Sequence, residues 1–132
     1  MEITEVFYPA DRAEWRDWLA THHRTKKEIW LRTFSKASGK PCINYDELVE
    51  ESLCFGWIDG QLKKYCPDSK VQRITPRRRD SFLSELNRQR VWKLQKLGLM
   101  TPAGLEPIAS QIGSPEDPFD IPDWILLQLQ AD

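Results

Sequence analysis

Between Trp57 and Pro76 the chain alternates at period two, around a turn at Cys66-Pro67-Asp68-Ser69. On either side the apolar spacing changes to that of a helix. A hairpin set between helical segments restricts the fold to an α+β arrangement, since each apolar stripe needs a layer to pack against. WIDGQLKKY (57–65) and KVQRITP (70–76) are its two strands. Simple alternation puts Ile58 and Leu62 on one face and Trp57, Asp59 and Gln61 on the other; in the second strand Ile74 alternates with Arg73 and Thr75.

KEIWLRTF (27–34) is rich in β-branched and aromatic residues and reads as a third strand. Asp11 with Glu14 forms a capping box for a helix over about 11–22, with Trp15, Trp18, Leu19 and His22 at helical spacing. A second helix opens at Asn44, reciprocally capped by Glu47. Its inner stripe is Tyr45, Leu48, Val49, Ser52 and Leu53, and Gly56 ends it. A long helix runs from about Ser81 to Leu97 and stops at Gly98; a short one follows Thr101-Pro102, with proline at the first helical position. The expected fold is one α+β domain, residues 1–113, with a small antiparallel sheet of three or more strands packed by helices. Residues 114–132 form an acidic, Pro-rich tail leading into WILLQLQAD, which reads as the opening turn of a truncated helix.

Composition excludes whole classes. Six Trp and 40% hydrophobic residues in 132 are incompatible with collagen, low complexity or full disorder. No stretch approaches the length of a membrane span, so no membrane insertion is expected. The N-terminus lacks a basic region followed by an apolar one, so no secretory signal is expected. Cys42, Cys54 and Cys66 are odd in number and twelve residues apart, which fits reduced thiols and a cytoplasmic location. Neither that spacing nor adjacent His22-His23 suits a metal. Nucleophile-elbow, zinc-protease and phosphate-cradling motifs are missing, so no catalytic residue and no cofactor is expected.

The net charge of -1 is a cancellation. Residues 63–96 hold 11 bases against 3 acids, a net of +8, whereas 1–62 carry -3 and 97–132 carry -6. The basic segment has two readings. Lys63, Lys64, Lys70, Arg73, Arg77, Arg78, Arg79, Arg88, Arg90, Lys93 and Lys96, with Trp92 on the helix's outer face, would grip phosphates and stack a base of a nucleic acid. Alternatively they form a solvated face compensated by the acidic tail. Arg77-Arg78-Arg79 at a helix start opposes the macrodipole and calls for an anion nearby.

In the long helix Leu83, Leu86, Val91, Leu94 and Leu97 form a core-facing arc, and Asn87 and Arg90 fall inside it. A buried guanidinium needs an acceptor, a polar pocket, or a route out along its stem. Asp59, mid-strand beside Gly60, is the candidate partner. One reading is a closed network of Asp59, Arg73, Asn87 and Arg90 tying helix to hairpin. The other is a polar cleft in which Arg73, Arg77 and Arg90 await a small anionic ligand, carboxylate or phosphate. A third reading makes Asp59 the carboxylate base of an enzyme.

Several runs together resemble one family. They are Leu53-Cys54-Phe55-Gly56-Trp57-Ile58-Asp59-Gly60; Arg73-Ile74-Thr75-Pro76-Arg77-Arg78; Ser81, Ser84, Asn87 and Arg88; and Gly98-Leu99-Met100-Thr101-Pro102-Ala103-Gly104. Glu14 to Leu19 and Ile29-Trp30-Leu31 also fit. Over about residues 7–105 the chain is similar to the YdeI/OmpD-associated, bacteriocin-protection-like family. That family usually carries Trp where Leu83 stands, and a helical module normally follows a segment like Phe119-Asp120-Ile121-Pro122-Asp123, so the resemblance covers the first domain only. It implies a frataxin-like α+β fold and a role in resistance to antimicrobial peptides, with no assigned reaction. The expected ligand-binding residues are Trp57, Asp59, Arg73, Thr75, Arg77, Arg78, Ser81, Asn87 and Arg90, in a non-catalytic binding or stress-resistance protein.

Overall fold

The computed structural model describes residues 2–113. The acidic tail and the helix's opening turn expected over 114–132 lie outside the described residues. The fold is α+β, as the alternating periods require. The chain order is β1 (Val6–Phe7), α1 (Arg12–His22), β2 (Ile29–Phe34), α2 (Tyr45–Cys54), β3 (Trp57–Cys66), β4 (Ser69–Pro76), α3 (Glu85–Lys96), α4 (Pro102–Leu105) and α5 (Ala109–Ile112). The sheet order is β1-β2-β4-β3. β4 pairs antiparallel with both β2 and β3, and the two-residue β1 adds a parallel edge to β2.

Capping chemistry sets the helix starts. Asn44 accepts the Glu47 N–H at 2.8 Å, and the Glu47 carboxylate accepts the Asn44 N–H at 3.1 Å, a complete capping box. At α1, Asp11 accepts the Glu14 N–H, but the Glu14 side chain reaches the N–H of Ala10 rather than that of Asp11. The helix expected from Ser81 starts instead at Glu85, capped by Ser84. Before it, Asp80 has φ of 61° and donates its N–H to the Pro107 carbonyl. Gln111 also holds the loop, accepting from Leu83 N–H and donating to the Ser81 carbonyl. These contacts with the C-terminal helical turns displace the first helical turn, so Arg77-Arg78-Arg79 lies in a loop and no macrodipole acts on it.

The helices cover one face of the sheet. Trp15, Trp18 and Leu19 of α1, Leu48, Val49 and Leu53 of α2, and Val91 and Leu94 of α3 bury against Ile29, Leu31, Trp57 and Ile74. Trp15 and Trp18 are core anchors, as their spacing predicts; Trp57 meets Trp18 edge-on at 5.6 Å. Leu86 and Leu97 lie outside the arc expected of them and are exposed, as is Tyr45 in α2. A register shift between Asp59 and Leu62 inserts an extra residue, so Trp57, Asp59 and Leu62 pair with Pro76, Ile74 and Gln72 along one face. Simple alternation had put Leu62 opposite Trp57; the bulge at Gly60-Gln61 reverses that.

In α2, buried residues run unbroken from Leu48 to Cys54 and include Glu50 and Glu51. The flanking helices supply their counter-charges. Glu51 accepts from Arg12 at 2.7 Å and Arg16 at 2.9 Å, while Glu50 pairs with Arg12 and with Lys93 of α3. Burial lowers the Arg12 and Arg16 pKa values, but the hydrogen bonds and charges of these carboxylates outweigh it and leave both above their ordinary value. No helix among the described residues is long and apolar enough to cross a membrane.

Candidate functional site

The site is built where two glycine-bearing segments meet. Gly56 follows α2 with φ of 76°, and a Cβ there would overlap the Ala103 carbonyl oxygen. Gly104 stands equally close to the Cys54 carbonyl, which also accepts from the Thr101 backbone at 3.1 Å. This contact seats the start of α4 against the end of α2. From the other side, Arg77 donates its backbone N–H to the Gly56 carbonyl at 2.7 Å. A cleft of about 500 Å³ opens between these segments, walled by Phe55, Trp57 and Pro102 and edged by Arg24, Arg77 and Arg79.

Arg77 is the unusual group. It is 8% exposed, yet it makes no ion pair among the described residues. One terminal nitrogen donates to Ser81 Oγ and to the Phe82 carbonyl, both at 3.2 Å, and its buried Nε has no partner. Burial holds the Arg77 pKa below its ordinary value, and the charge of Asp59 opposes that only in part. Arg24 and Arg79 add positive charge at the rim, where Glu106, 3.9 Å from Arg79, is the one lining carboxylate among the described residues.

The nine residues expected to share a cleft divide into separate groups. Trp57 and Arg77 line it, and Ser81 accepts from Arg77. Asp59 accepts from Tyr45 Oη at 2.9 Å and from Gln72 at 3.3 Å. It is therefore not the partner of Arg90. Arg90 instead donates to Asn87 Oδ1 at 2.9 Å and to Asp46 Oδ1 at 2.7 Å, a closed junction between α3 and the first turn of α2. Arg73 pairs with Glu28 on the sheet face away from the helices, where Thr75 stands opposite Ile58. Arg78 is exposed. The expected network of Asp59, Arg73, Asn87 and Arg90 does not form, because Arg73 and Asp59 project from opposite faces of the sheet.

His23, Arg24 and Glu106 also line the cleft and carried no signal of their own. The legible sign was the pair of glycine motifs, Cys54-Phe55-Gly56 and Thr101-Pro102-Ala103-Gly104, which reads as close backbone approach. Trp92, expected on an open face, is half-buried: its Nε1 donates to the Ile112 carbonyl at 3.0 Å and Arg88 lies over its ring. Among the described residues no group of three His, Cys, Asp or Glu converges as a metal site.

A domain family of unknown function, DUF8412, matches residues 7–107. The chain belongs to this family. No curated protein and no solved structure matches it. The described residues that line the Arg77 cleft all lie within the DUF8412 span.

Proposed function

We propose that this DUF8412 protein is a non-catalytic binding protein that holds a small anion, a carboxylate or a phosphate, in the Arg77 cleft. One observation carries the reading: a guanidinium more than nine-tenths buried, with an unpartnered Nε and, among the described residues, no carboxylate in ion-pair contact. Leaving such a charge uncompensated costs several kcal/mol, about 3–5 where a buried pair has been broken. An incoming anion removes that cost and gains the bidentate geometry of the arginine fork. Arg24 and Arg79 at the rim favour its approach. The resemblance to the YdeI/OmpD-associated family supports a cytoplasmic stress-resistance setting, and the three free cysteines agree with it.

Thermal unfolding across a panel of inorganic phosphate, acetate, succinate and citrate tests this. A ligand at 100 times its Kd adds about 2.7 kcal/mol to the folded state. The expected result is a rise in Tm for at least one anion, lost in Arg77→Met. Equal stabilisation of both proteins, or of neither, rejects the reading.

A nucleic-acid reading has one observation in its favour: Lys36, Lys63, Lys64 and Lys70 gather around a cleft of about 600 Å³ at the hairpin end. It requires binding of short single-stranded DNA that weakens steeply with salt. Absence of binding at low salt rejects it.

A further inference from the structure

Side chains two apart on a strand share a face, so the register lays out rows across the helix side of the sheet. Leu31, Gln72 and Leu62 form one row; Thr33, Lys70 and Lys64 form the next, nearer the hairpin turn. Leu31 packs in the helix-side cluster, but Leu62 is half exposed and no residue of the Thr33 row enters that cluster. Two cavities, of about 600 and 270 Å³, open over these rows and share Thr33, Phe34, Leu62 and Lys70, which makes them one groove. Its walls are fixed. Phe34 donates its N–H to Cys42 Sγ at 3.3 Å, Tyr8 Oη donates to the Pro41 carbonyl, and Ser35 donates its N–H to the Asp68 carbonyl at 2.9 Å.

The two ends of the groove differ in chemistry. Toward α2 it rests on buried Ile43 and Leu48. Leu62 and Tyr45, the latter tied to β3 by its Oη donation to Asp59, are half exposed there. Toward the turn, exposed Lys36, Lys64 and Lys70 face Asp68, the one lining carboxylate among the described residues. Lys64 and Lys70 stand directly opposite each other, and neither pairs with a carboxylate among the described residues. Like charges so placed are destabilising in a sheet. Lys63, between Leu62 and Lys64, is engaged on the other face, its Nζ 5.6 Å from the Trp30 ring centroid.

We propose that this groove binds a single-chain amphiphile with a carboxylate head. The head sits between Lys64 and Lys70 and relieves their repulsion; ammonium groups act on it as point charges. The chain runs over Leu62 and Tyr45 toward Leu48 and removes their exposed apolar surface from water. A nucleic acid would use only the turn end, and Tyr65, the aromatic nearest the lysines in sequence, is stacked with Arg32. The site is separate from Arg77, which follows the opposite end of the same two strands.

A ¹H–¹⁵N NMR titration of the full chain with octanoate, acetate and 1-octanol tests this. Octanoate should shift the amides of Tyr45, Leu62, Lys64 and Lys70. It should bind at least about fivefold more tightly than 1-octanol, the worth of two exposed ion pairs, and more tightly still than acetate. Lys64→Gln combined with Lys70→Gln should bring octanoate down to the 1-octanol level, whereas Leu62→Ser should weaken both. All three positions are exposed, so the fold tolerates these changes. Equal binding of octanoate and 1-octanol to the parent would overturn the proposal, as would the absence of shifts at these four residues. Octanoate shifts confined to the Arg77 cleft and lost in Arg77→Met would also overturn it. So would short single-stranded DNA shifting these amides where octanoate does not, which would assign the groove to a nucleic acid.

Discussion

The Arg77 backbone N–H donates to the Gly56 carbonyl at 2.7 Å, joining the exit of β4 to the entry of β3. The residue that supplies the buried guanidinium is thereby pinned to the residue whose missing Cβ admits α4. Gly56→Ala tests this joint. The substitution strains a left-handed backbone, at about 1–2 kcal/mol, and drives a methyl into the Ala103 carbonyl. Gly98 has nearly the same φ, 74°, with nothing within 4 Å of an added Cβ. Urea unfolding should place Gly56→Ala below Gly98→Ala by more than about 1 kcal/mol, a difference due to the overlap alone.

Arg77 itself should matter little to the empty fold. Removing an unpaired buried charge offsets the loss of its hydrogen bonds to Ser81 and Phe82. In anion-free buffer Arg77→Met is expected to stay within about 1 kcal/mol of the parent by chemical denaturation. A loss larger than about 3 kcal/mol would make Arg77 a structural residue and would contradict a role in binding.

Local chemistry was legible in the sequence and cross-element chemistry was not. The capping box at Asn44, the glycine at 56 and the hairpin strands are encoded within a few residues, and all are present. The start of α3 was not, because it is set by Pro107 and Gln111, some thirty residues downstream. Arg90 was recognisable as a buried cation, yet its acceptor, Asp46, belongs to a helix whose orientation only the packing fixes. Glu50 and Glu51 carry no local mark of their burial in the sequence. The available signal was complementary spacing: Arg12 and Arg16 four apart on α1, Arg90 and Lys93 three apart on α3, and acids on the baseless helix between them.

Cys54 provides a chemical check on the core. Burial, with the nearby charge of Glu51, pushes its thiol up to about 12. At pH 8 roughly one molecule in ten thousand then carries the reactive thiolate. Iodoacetamide should alkylate the half-buried Cys42 and Cys66 while leaving Cys54 unmodified until denaturant is added, as read by peptide mass spectrometry.

Glu28 gives the acid limb of stability. Hydrogen bonds from Arg73 and Thr4 hold its carboxyl below the ordinary carboxylate range. The unfolded chain therefore binds the proton more readily. Its contribution is complete above the unfolded value, near 4.5, and is lost as pH falls through the folded one. Glu28→Gln removes that dependence. Denaturation midpoints of the parent and the variant should lie farthest apart at pH 6 and converge toward pH 3.

Glu51 is the strongest test of how the three long helices are held. It is 2% exposed and accepts from two arginines one helical turn apart on α1. Both arginines are about one-third exposed, so they rehydrate when the carboxylate is removed, and the loss falls short of that for a fully buried pair. Hydrogen bonds to charged groups are worth about 1.5–3 kcal/mol, so Glu51→Gln should cost about 2 kcal/mol in urea unfolding. Arg16→Met also forfeits a bond to the Leu99 carbonyl, which the double-mutant cycle separates from the ion pair. A coupling energy of about 1–2 kcal/mol between positions 16 and 51 is expected. Additive effects would show that α1 is held to α2 by the Trp15 and Leu48 packing alone, with the charges merely accommodated.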